Sequence, residues 1–265
     1  MSRICAMFGV TRQAFYKGQQ LSTQRQVRED MVLREVKRIR VSQPRVGTRK
    51  LYRALHLNWV RIGRDHLFEI LRKNRLLIKP MKNFKKTTNS YHRFRKHRNL
   101  IKDLIVTAPN QVFVSDITYL DTLESSCYLF LVTDLYSRKI VGWNVSKDLS
   151  VQAGQKALKM ALQGVEHPEG LIHHSDRGVQ YCSPRYTDIL DRHKVRISMT
   201  EENHVYENAV AERVNGILKT EFLLGQRLQL FNQAEKLAAQ SIKTYNEQRL
   251  HMSLNYRTPA ECYAV

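Results

Sequence analysis

Three acidic residues stand in sequence contexts that would bring their carboxylates together. Asp116 lies in the middle of an alternating apolar segment, where burying an aspartate costs free energy unless it has a partner or a metal ion. Asp176 ends a short apolar stretch in HHSDRG, and the sheet edge beyond a strand's carboxyl end commonly carries a site. Glu212 falls in the first turn of a predicted helix. Carboxylates from two strands and a helix suit a pair of Mg²⁺ ions that act on phosphate groups.

Each of these acids also has a purely structural interpretation of equal weight when it is taken alone. Asp116 is compatible with a salt bridge at a strand end, and Asp176 with an Asx turn. Glu212 would be favourable at a helix N-terminus through the helix dipole, or in a surface network of i,i+4 pairs. Asp134, at the end of the second predicted strand, is compatible with a fourth ligand or with no role in the site. Residue types and spacing therefore leave the carboxylate metal site as one hypothesis among these.

The elements that must position the acids are predicted in residues 111–248. Alternation and apolar runs predict three successive strands within residues 111–146, joined by tight turns as an antiparallel meander. The full order, βββαβαβα with a last helix, predicts a mixed α/β fold in which helices flank a sheet. The later strands are expected at 170–176 and 195–200, and the helices at 150–164, 184–193, 209–222 and 233–248.

Charge divides the chain into two parts. The net charge is +20, and residues 1–110 hold 27 Lys and Arg against 6 Asp and Glu, whereas residues 111–265 hold 17 against 18. Such a basic field attracts phosphate backbones and releases their counterions, which favours binding to nucleic acid. A basic surface that serves solubility is the weaker alternative, and an acidic membrane surface is weaker still, because no basic amphipathic helix with an aromatic face is evident.

The first basic segment, residues 2–17, is typical of a small helix-turn-helix. Gly9 would form the turn, Thr11 would cap the next helix, and Phe15 would pack inward. An ordinary helical hairpin is the alternative interpretation. The residues expected to face DNA are Arg12, Gln13 and Lys17.

A second helical region follows, with helical spacing over residues 24–40 and a two-helix unit at about 48–57 and 63–76. It leads into a basic connector with few apolar residues, which is expected to be an extended linker. The boundaries are placed at 1–20, 21–78, 79–108, 109–230 and 231–265. The DNA-contact residues expected in the two-helix unit and the connector are Arg49, Lys50, Arg53, Arg64, Lys85 and Lys86.

Cysteine usage points to a reduced compartment. The four cysteines are far apart and form no CxxC pair, so neither a disulfide framework nor a cysteine zinc site is expected. No apolar run is long enough to span a bilayer, and the N-terminus does not have the pattern of a secretory signal. We therefore expect a cytoplasmic protein without a membrane partner.

Five motifs resemble the integrase-core transposases, specifically the OrfB half of the insertion sequence three family. QVFVSDITYL resembles the family's first-aspartate strand, HHSDRGVQY its second-aspartate motif, and ENAVAERVNGILKTEF its glutamate helix. DLYSRKIVGW and YNEQRLHMSLNYRTPAE resemble the hairpin and the C-terminal signature. Asp176 and Glu212 are separated by 35 residues, the interval of the D,D(35)E pattern. The resemblance covers almost the whole chain, although Leu250 replaces a frequent proline in the C-terminal signature.

The resemblance implies a ribonuclease-H-like five-stranded mixed sheet, preceded by an all-α helix-turn-helix region. It implies two Mg²⁺ or Mn²⁺ ions at Asp116, Asp176 and Glu212, and DNA 3′-end cleavage followed by strand transfer. The N-terminal zinc module of retroviral integrases is not expected here, because only Cys5 precedes residue 127 among the cysteines. Lys219 matches a basic position that contacts element-end DNA. The implied partners are double-stranded DNA of the terminal repeats and the target, further copies of the chain on that DNA, and an upstream-frame protein, fused or in trans. The implied location is the bacterial nucleoid.

Two other functions remain open at this point. One is a catalytically inert DNA-binding regulator, or transposon remnant, that uses residues 1–102. The other is a metal nuclease of the same fold that cuts RNA–DNA hybrids, although the large basic region favours duplex DNA as the substrate.

Overall fold

A computed structural model of the chain describes residues 2–79, 93–201, 208–228 and 230–264. The expected DNA contacts of Lys85 and Lys86 lie outside these residues. None of the helices within the described ranges combines the length and the apolarity that crossing a membrane requires.

The chain divides into two compact units. The first, which we call the helical unit, comprises residues 1–42 and 46–79. The second, which we call the sheet unit, comprises residues 43–45 and 80–265. The division separates the helical region from the predicted strands.

The helical unit has its core where three helices meet. The second half of α2 contributes Val36, α3 contributes Leu51 and Leu55, and α4 contributes Leu67 and Leu71, all of them buried. These apolar residues recur at helical spacing, so each helix has one face that only a neighbouring helix can cover. The helices are α1 (Ser2–Met7), α2 (Arg12–Ser42), α3 (Thr48–Leu57) and α4 (Arg64–Lys73).

The N-terminal segment differs from the expected helix-turn-helix. Gly9 does form the turn with a φ of 65°, and the Thr11 hydroxyl caps α2 by accepting from the Ala14 N–H at 3.1 Å. However, α2 then continues unbroken through residue 20, so the expected boundary falls inside one helix. Phe15 is 38% exposed and Phe8 is 78% exposed, because a six-residue helix offers too few apolar side chains to cover them.

The sheet unit is built on one mixed five-stranded sheet with the strand order β3-β2-β1-β4-β5. The pairs β1–β2 and β2–β3 are antiparallel, whereas β1–β4 and β4–β5 are parallel. The first three strands therefore form the predicted meander, and the two later ones join it by helical crossovers. The strands are β1 (Val112–Asp121), β2 (Ser126–Asp134), β3 (Ile140–Ser146), β4 (Ile172–Ser175) and β5 (Arg196–Met199).

Helices cover both faces of this sheet. On one face, Phe113 and Phe130 pack with residues of α5 and α7, and on the other, Leu129 and Leu131 pack with residues of α8 and α9. The sequence reflects this arrangement, because β1 and β2 are apolar on both sides and therefore require two covering layers. The helices are α5 (Val151–Gln163), α6 (Val179–Cys182), α7 (Pro184–Arg192), α8 (Ala209–Glu221), α9 (Phe231–Glu247) and α10 (Pro259–Tyr263).

The C-terminal tail contains a further short turn and a last helix. After a 3-10 turn at Met252–Leu254, α10 begins with a capping box in which the Thr258 hydroxyl accepts from the Glu261 N–H and the Glu261 carboxylate accepts from the Thr258 N–H. The sequence TPAE has the spacing of such a box, with proline at the first helical position.

Candidate active site

Asp116 lies in the middle of β1 and faces the layer that contains α8. Its carboxylate accepts a hydrogen bond from the Asn215 side-chain amide at 2.7 Å and another from the Ile117 N–H at 2.9 Å. Because successive side chains on a strand alternate between faces, Ser115 points instead to the layer of α7, where its hydroxyl lies 2.8 Å from His173 Nε2. Two donors therefore fix the Asp116 carboxylate at the centre of the sheet.

Asp176 is brought beside Asp116 by the parallel pairing of β4 with β1. Ser115 and Ser175 are register partners; Asp116 follows Ser115 within β1, and Asp176 is the first residue after the end of β4. The Asp176 carboxylate accepts from the Gly178 N–H at 3.0 Å, which is the Asx turn considered from the sequence. A Cβ at Gly178 would lie 2.9 Å from that same oxygen, so the tight turn at this position favours glycine.

Glu212 is brought to the sheet by the start of α8. The Asn208 side-chain amide, at the N-cap of this helix, donates to the Ser115 carbonyl oxygen at 3.1 Å. Ala211 packs against Val112 and neighbouring apolar side chains of β1 and β4. The first turn of α8 is therefore held against the two strands that carry the aspartates, and Glu212 lies in that turn with its side chain exposed.

Electrostatics show that the three carboxylates are neighbours. Burial and the Asp176 charge raise the pKa of Asp116 to about 7, against the hydrogen bonds from Asn215 and Ile117, and Glu212 adds to the rise. Burial and Asp176 also raise the pKa of Glu212. Like charges at short range disfavour ionisation, and a bound cation would reverse that effect. The fold therefore holds carboxylates that repel one another close together.

The carboxylates do not yet converge as ligands do around an ion. In the described parts of the chain, no three His, Cys, Asp or Glu side chains stand together in an arrangement that could hold a metal ion. The donor set nevertheless fits Mg²⁺ or Mn²⁺, which prefer carboxylate oxygens and retain some of their water. The three carboxylates, of Asp116, Asp176 and Glu212, are carried by separate elements of the fold. Rotation of these side chains can therefore change the distances between their oxygens without any movement of the backbone.

Lys219 lies on α8 seven residues after Glu212, two turns further along the same helix. Its side chain is partly buried, and burial lowers the pKa of its ammonium group, whereas the charges of Asp121 and Asp116 raise it. Lys219 therefore places a cation in the field of the Asp116 carboxylate.

Comparison with known proteins places this geometry in a family. Residues 106–204 and residues 193–259 each match a family model described as an integrase core domain. The chain is 33% identical to the transposase InsF for insertion sequence IS3A of Escherichia coli (strain K12), over 84% of this chain and 79% of that protein. It is also 35% identical to an uncharacterized 31 kDa protein of insertion element IS600 from Shigella sonnei, over 97% of this chain and 96% of that protein.

The chain belongs to the insertion sequence three family of transposases. Its fold is the ribonuclease-H-like fold of the integrase core. In the cryo-EM structure of the simian T-cell lymphotropic virus intasome with PP2A regulatory subunit B56 gamma, the similar chain has a TM-score of 0.51 and 19% identity, covering 83% of this chain and 71% of that one. The magnesium complex of the HTLV-2 integrase catalytic core domain has a TM-score of 0.47 and 17% identity, covering 63% of this chain and 99% of that one.

Asp134 has a structural role in this transposase. It is fully buried, and its carboxylate accepts from the Ser137 N–H at 2.7 Å, the Ser137 hydroxyl at 2.6 Å and the Asn110 N–H at 2.9 Å. Two of these donors belong to the turn that joins β2 to β3, and the third, Asn110, lies just before β1. The choice that the sequence left open, between a fourth ligand and a residue outside the site, is therefore settled in favour of the turn.

Two asparagines of the site escaped the sequence analysis. Asn215 orients Asp116, and Asn208 ties the N-cap of α8 to β1. A signal for Asn215 was present, because it follows Glu212 by three residues and so faces the same side of the helix amid apolar neighbours. Asn208 stands directly before α8, where asparagine is a preferred N-cap residue.

A buried ion pair at the far end of α8 also escaped the sequence analysis. The Arg249 guanidinium donates to both Glu221 carboxylate oxygens, at 2.9 and 2.8 Å, and its remaining Nη atom lies 2.8 Å from His251 Nε2. Arg249 is 3% exposed. The C-terminal signature of the family is thus bonded to the helix that carries Glu212 and Lys219. Pairs separated by 28 residues leave no periodic signal in a sequence.

The sequence-predicted DNA-contact residues of the helical unit lie mostly at its surface. Arg12, Gln13 and Lys17 are exposed in the first turns of α2. On α3, Arg49 and Arg53 are exposed one helical turn apart. The two remaining residues of this group are Lys50, partly buried on α3, and Arg64, exposed in the first turn of α4.

Proposed function

We propose that this protein cleaves DNA at the 3′ ends of its element and transfers those ends to a target strand. The observation that carries the proposal is the grouping of Asp116, Asp176 and Glu212, in which burial, together with the charges of Asp176 and Glu212, raises the pKa of Asp116 to about 7. The Asp134 carboxylate, by comparison, accepts three hydrogen bonds that hold the β2–β3 turn and the residue before β1. Membership of a transposase family supports the same reaction class.

Asp116, Asp176 and Glu212 would hold two Mg²⁺ or Mn²⁺ ions in this proposal. Such ions supply an activated oxygen nucleophile at neutral pH and stabilise the charge that develops on the leaving oxygen. Asn215 and the Ile117 N–H keep the Asp116 carboxylate oriented. The Asx turn does the same for Asp176, which leaves Glu212, on the helix, as the carboxylate with the most freedom to adjust.

Binding of element-end DNA is assigned to the helical unit and to Lys219. The exposed cations of α2, α3 and α4 would meet phosphates, and Lys219 would meet a phosphate close to the carboxylates. Transfer of an element requires that its two ends be brought together, so we propose that several copies assemble on DNA. An upstream-frame protein, fused or in trans, is a further partner in this proposal, and the nucleoid would be the site of action.

The test is nicking of supercoiled plasmid in Mn²⁺ by the natural chain and by Glu212→Gln. We expect the variant to lose at least about 100-fold in rate while retaining DNA binding, because only the chemistry needs the carboxylate. Glu235→Gln is the matched control, since Glu235 is an exposed glutamate on α9. Equal nicking by Glu212→Gln would refute the site. Binding without nicking by the natural chain, also when fused to the upstream frame, would indicate a DNA-binding regulator instead.

A further inference from the structure

The turn between α3 and α4 exposes a tryptophan. Trp59 is 89% exposed, more than any other large apolar side chain in the described residues. Its neighbours in sequence behave in the opposite way, because Leu55 and Leu67, on the two flanking helices, are fully buried in the core of the helical unit. The indole thus contributes little buried area to the fold, so its presence needs another explanation.

The backbone at Trp59 adopts a conformation that glycine would adopt more readily. The Trp59 N–H donates to the His56 carbonyl oxygen at 3.1 Å, and the Val60 N–H donates to that of Leu55 at 2.9 Å. This is the Schellman ending of α3, with Trp59 at the left-handed position and a φ of 64°. The left-handed region is unfavourable for bulky side chains, so the tryptophan is retained at a cost to stability.

Two other helix ends of this type that also lack glycine differ from it in chemistry. Arg75 ends α4 with a φ of 56°, and Lys194 ends α7 with a φ of 54°, each with the same pair of backbone hydrogen bonds. Both carry a cation near the carbonyl end of a helix, which is favourable with respect to the helix dipole. Trp59 carries no charge, so the dipole offers it no comparable gain.

The turn is held in place while the indole is exposed. The side-chain amide of Asn58, the residue before the tryptophan, donates to the Glu35 carboxylate at 2.7 Å, which ties the turn to α2. Val60 and Ile62, on the other side, pack against the core of the helical unit. An exposed aromatic ring on a fixed turn loses little conformational entropy when it binds a partner.

The surroundings of Trp59 select a partner with negative charge and flat apolar surfaces. Arg61 is exposed two residues away, and the Arg64 side chain is 64% exposed at the start of α4. Residues 48–76 contain eight Lys and Arg against two acidic residues. DNA has both features, since its phosphates attract cations while its sugars and bases offer surfaces for an aromatic ring.

We propose that Trp59 is a DNA-contacting residue whose indole packs on a deoxyribose or a base beside phosphates bound by Arg61 and Arg64. The proposal rests on the proposed binding of DNA by the helical unit. It assigns to the turn a contact that phosphate-binding cations alone cannot make.

The first test uses Trp59→Gly, for which we expect a gain in stability together with a loss of DNA affinity. Because glycine adopts the left-handed region readily, the melting temperature should rise by about 2–4 °C. Affinity for a mixed-sequence DNA duplex should fall at least about fivefold, the loss expected for one aromatic contact with a base. Lys194→Gly, the same backbone change in the sheet unit, is the matched control and should raise the melting temperature while changing affinity less than about twofold.

The second test observes the indole directly. The chain has two tryptophans, so Trp143→Phe leaves Trp59 as the only one. Its fluorescence should change on addition of the duplex, in parallel with binding measured by anisotropy of labelled DNA. This inference alone would be overturned if the duplex binds without a change in Trp59 fluorescence and if Trp59→Gly binds it with the affinity of the natural chain. A natural chain that binds no DNA at low salt would overturn both the inference and the DNA-binding half of the proposed function.

Discussion

The two units of this transposase contain matched glutamate–arginine pairs in opposite surroundings. In the helical unit, Glu35 accepts two hydrogen bonds from Arg38, at 2.8 and 2.5 Å, and the arginine side chain is 66% exposed. In the sheet unit, Glu221 accepts two from Arg249, at 2.9 and 2.8 Å, and the arginine side chain is 3% exposed. The pairing is similar in both units, so burial is the main difference between them.

The burial of the arginine determines how much each pair contributes to the stability of its unit. An exposed ion pair contributes little to stability, because water screens the attraction and two long side chains are ordered. A buried charge must keep its partner, since removal of one member leaves the other without compensation. The exposed pair in the helical unit therefore contributes little to the stability of that unit. The sheet unit has charges that hold its elements together.

The largest effect is expected from Arg249→Ala. Loss of this side chain removes both guanidinium hydrogen bonds from the Glu221 carboxylate, which should lower the free energy of unfolding of the sheet unit by about 3–5 kcal/mol. Urea unfolding followed by the fluorescence of Trp143, on β3, would measure it. Arg257→Ala, at an exposed arginine of the same tail, should change the value by less than about 1 kcal/mol. Equal losses in the two variants would contradict the distinction between buried and exposed charge.

An effect of opposite sign is expected from Asp116→Asn. The fold raises the pKa of Asp116 from 3.8 to about 7, so ionisation of this group weakens the native state. The penalty is absent well below the unfolded-state pKa of 3.8, where the carboxyl is protonated in both states, grows as the pH rises from there to about 7, and is constant well above pH 7. Asparagine removes it, so the metal-free variant should be more stable than the natural chain by about 2–4 kcal/mol at pH 8 and by almost nothing at pH 4.

Thermal unfolding in EDTA at both pH values would test this prediction. Asp188→Asn, at an exposed aspartate on α7, removes the same charge and should show almost no pH-dependent gain. Mn²⁺ should then raise the melting temperature of the natural chain and not that of Asp116→Asn, since ligands stabilise the state that binds them. A variant less stable than the natural chain at pH 8 would show that Asp116 serves the fold.

Local patterns in the sequence predicted most of the sheet unit. The five strands and the helices α5, α7, α8 and α9 lie within a few residues of their expected positions, because periodicity of apolar residues reports which faces are covered. The grouping of Asp116 with Asp176 also follows from topology, since parallel strands place residues in equal register side by side. The prediction that Phe15 would pack inward was wrong. Phenylalanine is typical of a core, but Phe15 is 38% exposed because the short α1 does not cover it.

Contacts between distant parts of the chain set the limit of the sequence analysis. Arg249 and Glu221 look like ordinary surface charges in the sequence, and only the fold brings the tail under α8. The exposure of Trp59 could not be predicted either, because an isolated tryptophan is as typical of a core as of a surface. The sequence therefore predicted the three candidate carboxylates, whereas the residues that hydrogen-bond to them had to come from the structure.

The smallest effect is expected from Glu35→Gln, the counterpart in the helical unit. The hydrogen bond from Arg38 lowers the pKa of Glu35, so its contribution to stability is present above pH 4.5 and is lost as the pH falls through the lowered value. Because Arg38 is exposed, the loss at pH 7 should stay below about 1 kcal/mol, whereas Glu221→Gln should cost the sheet unit several times more. Circular dichroism during urea unfolding would measure both. Removal of one acid from the basic unit should at the same time strengthen DNA binding, so Glu35→Gln should lose little stability and gain affinity. Equal costs for the two glutamates would mean that burial of the arginine does not govern the strength of these pairs.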